Sequence, residues 1–193
     1  SSPPRQPLTI DRASGLLLEA LQRLDIDEPR ALIGHSMGGW IVAWTGLSSP
    51  ERCGDLVLIS SGGLRFDPPP FRVLMPDDPE DARRSLPWLF HDPPHPPTFV
   101  LSIAAARPMT GSLELLRSGL SGEDVLDGLL EGMVPRTLVL WGAHDRLIPP
   151  ELGRRMASAI PEAELAMVPE SGHMVVWERP ERSAEAILAF LRR

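Results

Sequence analysis

The stretch from Ala31 to Leu47 constrains the fold of this chain more than any other. Ala31-Leu32-Ile33 is a short, wholly apolar run, the pattern of a strand buried on both faces of a sheet. Gly34-His35-Ser36-Met37-Gly38 follows, and a helix begins at about Gly38 and runs to about Leu47. A strand that turns into a helix within five residues brings the two elements close together. Small residues two positions before and two after the central serine permit that approach. The turn lifts the Ser36 hydroxyl above the sheet and aims the backbone N–H of Met37 at the same space. A glycine-rich strand-to-helix turn without chemistry is the alternative reading.

The rest of the chain repeats the strand-and-helix theme. Thr9 is placed to cap a helix reaching about Leu24, with Ile10, Ala13, Leu17, Ala20, Leu21 and Leu24 at helical spacing. Leu56–Ile59, Thr137–Trp141 and Glu164–Val168 read as further strands. Helices are expected from Pro150 to about Ile160 and from Pro180 to Leu191. Alternating strands and helices predict an α/β fold, a parallel sheet flanked by helices. The alternation breaks between Leu64 and Val134, where prolines cluster at 67–70, 76–79 and 93–97. Residues 1–63 and 135–193 are therefore expected to form the core, and 64–134 a helical cap inserted over the C-terminal edge of the sheet.

A serine nucleophile needs a base, and the base needs a group to hold it. The third strand ends in Trp141-Gly142-Ala143-His144-Asp145, and the loop after the fourth holds Ser171-Gly172-His173. Both loops leave the C-terminal ends of strands, the edge where open α/β sheets place their sites. Asp145 and His173 are thus the expected acid and base for Ser36. Asp55, Asp67 and Asp124 do not stand at the end of the third strand. His35 is expected to pack or hydrogen-bond locally, and His144 to point away from Asp145. His91 and His95 lie among prolines, where solvent exposure is expected; a metal site of His91, Asp92 and His95 is the weaker alternative.

Charge and cysteine content narrow the classes further. A formal net charge of −7 offers phosphate backbones no favourable field, which argues against a nucleic-acid partner. No apolar run approaches the roughly 20 residues that span a bilayer. The single cysteine, Cys53, rules out an internal disulfide, reads as a packing thiol, and permits a cytoplasmic location. No cofactor is implied: the chain has neither a phosphate-cradling glycine loop nor cysteine–histidine metal spacing.

With these motifs in this order, the chain resembles the α/β-hydrolase family. Gly34-His35-Ser36-Met37-Gly38-Gly39 is similar to its nucleophile elbow, Leu140–Pro149 to its acid loop, and Gly172-His173 to its histidine loop. The resemblance implies a serine hydrolase with Ser36, Asp145 and His173 as its triad and the Met37 N–H as one oxyanion donor. It also implies that strands, and a His-Gly loop carrying a second oxyanion N–H, precede Ser1-Ser2-Pro3-Pro4. The Ser36 strand would then be an open apolar edge, inviting pairing with that preceding segment or self-association. Residues 1–193 alone are accordingly expected to be poorly active, since one lost oxyanion donor costs about a hundred- to a thousandfold.

Apolar residues available for a pocket are Phe71, Leu74, Trp88, Leu89, Phe90, Phe99 and Met109 in the cap, with Trp40, Ile148, Met174 and Val175 near the triad. For each singly, core packing of cap against sheet is the better reading. Together they suit a small hydrophobic substrate. Carboxylic esters are the leading expectation. Ser60-Ser61-Gly62-Gly63-Leu64 is similar to the cap start of carbon–carbon bond hydrolases, but Met174 stands where those enzymes carry tryptophan. C–C hydrolysis or enol-lactone hydrolysis is therefore second, and a non-catalytic ligand-binding member of the same fold is third.

Overall fold

The computed structural model describes residues 8–26, 29–67, 76, 78–105 and 124–193. Four strands, β1 (Ala31–His35), β2 (Asp55–Ile59), β3 (Thr137–Gly142) and β4 (Glu164–Val168), form one parallel sheet in the order β1-β2-β3-β4. The register sets His35 beside Ile59, Ile59 beside Leu140, and Gly142 beside Val168. Three loops that leave C-terminal strand ends therefore meet along one edge.

Alternation along the strands sorts the apolar side chains into two cores. Leu56, Leu58, Val139 and Trp141 face α2 (Met37–Ser48) and α5 (Pro150–Ala159), represented by Val42, Ala43, Leu152 and Met156. Val57, Ile59, Leu138 and Leu140 face the other way, onto Val175 and Phe190 of α6 (Val175–Glu178) and α7 (Pro180–Leu191). The helix α1 (Ile10–Arg23) packs outside α2. This double cover explains why α2 carries no charged residue. Even its polar Thr45 is buried, its hydroxyl 2.8 Å from that of Ser14 on α1.

Local rules account for the helix ends. The Thr9 hydroxyl accepts from Arg12 N at 3.0 Å and so caps α1. Asp124 adds a distant cap, its carboxylate accepting from Ile10 N at 2.8 Å. Leu24 follows the last helical residue and is 68% exposed, so it ends the apolar stripe rather than extending it.

One departure from the sequence reading concerns β1. Ile33 is 51% exposed, so β1 is buried on one face only. The cause is coverage: α7 lies against β3 and β4, while β1 is an outer strand. The segment between β2 and β3 contains α3 (Pro79–Leu89) and α4 (Thr98–Ala105), which pack together. At its two ends, Leu64, Leu126, Leu130 and Met133 are buried in the same core as α2 and α5.

Candidate active site

Ser36 sits between β1 and α2 at φ 56° and ψ −120°. A non-glycine residue with positive φ is strained, and the surroundings must hold it there. They do so through three backbone hydrogen bonds. Ser36 N donates to Ile59 O at 2.9 Å, and Ser36 O accepts from Trp40 N at 3.2 Å and Gly62 N at 3.0 Å. Gly34 is fixed by space, because a Cβ there would lie 2.2 Å from Gly38 O. The second small residue that the packing requires is Gly39, whose Cβ would meet Ser61 Oγ at 2.7 Å. A Cβ at Gly38 would meet nothing within 4 Å. The close approach is thus made by Gly34 and Gly39, not by the symmetric pair that the sequence suggests.

Met37 is the first residue of α2, so its N–H belongs to the unpaired first turn of a helix. That donor opens beside Ser36, at the end of the helix that favours negative charge.

Asp145 and His173 meet 28 residues apart in sequence. His173 Nδ1 lies 2.9 Å from Asp145 Oδ2, and both residues are 3% exposed. The other carboxylate oxygen, Oδ1, accepts from Leu147 N and Ile148 N, each at 2.9 Å. Both oxygens are therefore occupied, and the carboxylate cannot rotate away from the imidazole. The Ile148 carbonyl closes the turn by accepting from Trp141 Nε1 at 3.0 Å. Holding Nδ1 on the carboxylate leaves Nε2 as the free ring nitrogen of His173.

The elbow touches the histidine loop through His35. Its Nε2 lies 2.8 Å from His173 O, and the two ring centroids are 4.9 Å apart. Burial lowers the His35 pKa below the usual histidine value, opposed by the hydrogen bond to His173 O. A neutral His35 donating from Nε2 is the tautomer that this contact requires.

Of the two histidines expected in solvent, one departs from expectation. His95 is exposed, whereas His91 is half-buried and stacks on His144 at 4.2 Å between centroids. The stack forms because His144 N also bonds Ser171 O at 2.9 Å, drawing the acid loop towards the histidine loop beside α3. His91 is therefore a packing contact rather than a solvent-exposed side chain. Among the described residues, no group of three or more His, Cys, Asp or Glu side chains is placed to hold a metal ion. Cys53 is half-buried, donates to Ser49 O at 3.4 Å, and has its thiol pKa pushed up by burial.

The apolar candidates are dispersed. Trp40 packs against Gly62 and Gly63 and donates to Asp124 O at 2.8 Å. Ile148 is buried in the core. Phe90 follows α3, and its backbone lies against Gly172. Trp88 is 36% exposed, and Phe99 67%. Met174 N bonds Leu89 O at 2.9 Å, and Val175 is fully buried. Phe71, Leu74 and Met109 lie outside the described residues. Two open cavities of about 680 Å³ each lie elsewhere, one along α5 and one at the N-terminal ends of the strands. None of the five residues expected nearest the substrate (Trp40, Trp88, Phe90, Ile148, Met174) lines either of these two cavities.

One contact set was not legible in the sequence. Glu178 accepts three backbone hydrogen bonds, from Gly172, His91 and Asp92. A glutamate before Arg179-Pro180 carries no local signal of that role.

Comparison with known proteins agrees with this architecture. The chain is 29% identical over 184 residues to a 2-hydroxy-6-oxononadienedioate/2-hydroxy-6-oxononatrienedioate hydrolase of Burkholderia vietnamiensis, a match covering 84% of this chain and 62% of that one. This chain thus spans less than two thirds of that relative's length. A mutant of the meta-cleavage product hydrolase CumD superposes with a TM-score of 0.83 at 21% identity, covering 100% of this chain and 75% of that one. A membrane phospholipase A described as a bacterial virulence factor also gives a TM-score of 0.83, at 22% identity, over 100% of this chain and 66% of that one. No described helix is long and apolar enough to cross a membrane. The model of the alpha/beta hydrolase family matches residues 1–186, and the chain belongs to that family.

Proposed function

We propose that the protein is a serine hydrolase that works through an acyl-enzyme on small, uncharged, hydrophobic carboxylic esters. The observation that carries this reading is the buried Asp145–His173 pair at 2.9 Å, reached by the elbow that holds Ser36 at positive φ. In the reaction, Ser36 Oγ attacks the ester carbonyl while His173 Nε2 takes its proton. The Met37 N–H donates to the oxyanion. His173 then passes the proton to the departing alkoxide, which leaves an acyl group on Ser36. A water attacks that ester, again giving its proton to His173, and the acid departs with Ser36 restored. Asp145 holds the imidazole tautomer throughout and stabilises the imidazolium. The insertion 64–134 serves as the cap over the substrate in this reading, and the location is cytoplasmic.

The Burkholderia relative gives specific support to a second reading, cleavage of a carbon–carbon bond beside a ketone by the same triad. There the proton from His173 goes to carbon rather than to oxygen. A non-catalytic ligand-binding role is the third reading.

A fluorophosphonate probe separates enzyme from binder. It should label the protein at Ser36, with labelling lost in Ser36→Ala. An unlabelled, folded full-length protein would sink the hydrolase reading. Parallel turnover of 4-nitrophenyl esters and of a vinylogous diketone then ranks ester against C–C cleavage.

A further inference from the structure

Every backbone neighbour of His173 is fastened to something outside its own loop. Gly172 N donates to Glu178 Oε2 at 2.6 Å. Met174 N donates to Leu89 O at 2.9 Å. The other Glu178 oxygen, Oε1, accepts from His91 N at 2.8 Å and Asp92 N at 3.1 Å. Residues 89–92 are the end of α3 and the turn after it, within the segment between β2 and β3. Gly172 is pressed so close to that turn that a Cβ would lie 2.8 Å from His91 N and 2.9 Å from the Phe90 carbonyl carbon.

We propose that Glu178 is a positioning residue for the base: its carboxylate ties the His173 loop to the turn after α3, so that the cap and the imidazole are held as one unit. This inference rests on the reading of Ser36 and His173 as nucleophile and base. The Asp145 carboxylate sets the ring's rotation and tautomer, but it bonds only the side chain of His173. The placement of the backbone that carries the ring falls to His35, Leu89 and Glu178. Of these, Glu178 alone bonds the loop and the cap turn with one group. Its bonds are charge-assisted, and such bonds are about twice as strong as neutral ones. Only a carboxylate can do this, because all three partners are N–H donors. A glutamine must turn its NH₂ towards either Gly172 or the His91–Asp92 pair, leaving donor facing donor.

The role predicts a particular kinetic signature. Loss of the tie lets the imidazole drift from Ser36, and a displacement of about 1 Å costs on the order of a hundredfold in rate. Substrate affinity is unaffected, because the carboxylate is engaged by backbone and does not face a substrate.

The test follows fluorophosphonate modification of Ser36 in wild type, Glu178→Ala and Glu178→Gln, separating the rate from the final labelled fraction. A role in folding alone lowers the labelled fraction and leaves the rate of the reacting molecules unchanged. A positioning role lowers the rate, by about 10- to 100-fold, in both variants. Ester turnover per labelled site should fall in parallel, with KM within about threefold of wild type. If Glu178→Ala does not fold, Glu178→Gln decides. A Glu178→Gln variant reacting at the wild-type rate per site overturns the proposal, and so does a loss confined to KM. Failure of wild type itself to label at Ser36 instead overturns the hydrolase reading on which it stands.

Discussion

Gly142→Ala should damage stability and chemistry together, by an amount that the geometry sets. Gly142 ends β3, and a Cβ there would lie 2.0 Å from Gly172 O, 2.7 Å from Ser171 O and 2.8 Å from the Gly172 carbonyl carbon. Ordinary contact between such atoms starts at about 3.4 Å, so the loop must retreat by about 1.4 Å. It has no room to do so, since Gly172 already abuts the backbone of Leu89, Phe90 and His91. Overpacking of this kind costs roughly 1–3 kcal/mol, sometimes more. At about 2–4 °C per kcal/mol for a chain of this size, the melting temperature should fall by about 2–12 °C. The displaced residues immediately precede His173, so fluorophosphonate labelling of Ser36 should slow by about a hundredfold. Gly15→Ala is the matched control. A Cβ there meets nothing within 4 Å, and Gly15 lies inside α1, so alanine should raise stability by about 0.5–1 kcal/mol. A Gly142→Ala protein that melts within a degree of wild type and labels within twofold would refute the argument that the two loops are sterically locked.

Two further outcomes follow from buried polar groups. His35 has its pKa lowered mainly by burial, so below about pH 6.5 the unfolded chain takes up a proton that the folded one resists. Stability should therefore fall as the pH drops from about 6.5 towards the lowered value and be insensitive to His35 above it; thermal melts of His35→Gln should show a smaller acid loss than wild type. Trp141→Phe removes the indole donor to Ile148 O and leaves a buried carbonyl unpaired. The expected cost is about 1–3 kcal/mol, read as a melting temperature lower by roughly 2–12 °C.

Much of the sheet was readable because each strand carries its own signal. The apolar runs at Leu56–Ile59 and Thr137–Trp141 stand out against polar loops, and α7 begins at the proline and ends at the leucine that the pattern marks. Ser36, Asp145 and His173 are the proposed site because each follows a strand end beside distinctive small residues, and the structure brings Asp145 and His173 together. What could not be read was anything decided by the far side of a contact. The exposure of Ile33 depends on which strands α7 covers, and its sequence neighbours do not encode that. Gly39 rather than Gly38 meets a neighbour because Ser61, from the β2 loop, leans on it. The stacking of His91 on His144 and the two bonds that Glu178 accepts from His91 and Asp92 join segments more than fifty residues apart. No local pattern announces them.

The sheet order β1-β2-β3-β4 has a temporal meaning. Among the four described strands, each lies beside its predecessor in the chain, so this part of the sheet can grow one strand at a time in the direction of synthesis. Along the chain, Ser36 follows β1, Asp145 follows β3, and His173 follows β4. In the proposed hydrolase, a nascent chain would therefore carry Ser36 for more than a hundred residues before its proposed base, His173, is made. On that reading, the order of the strands delays reactivity at Ser36 until the loop after β4 is in place.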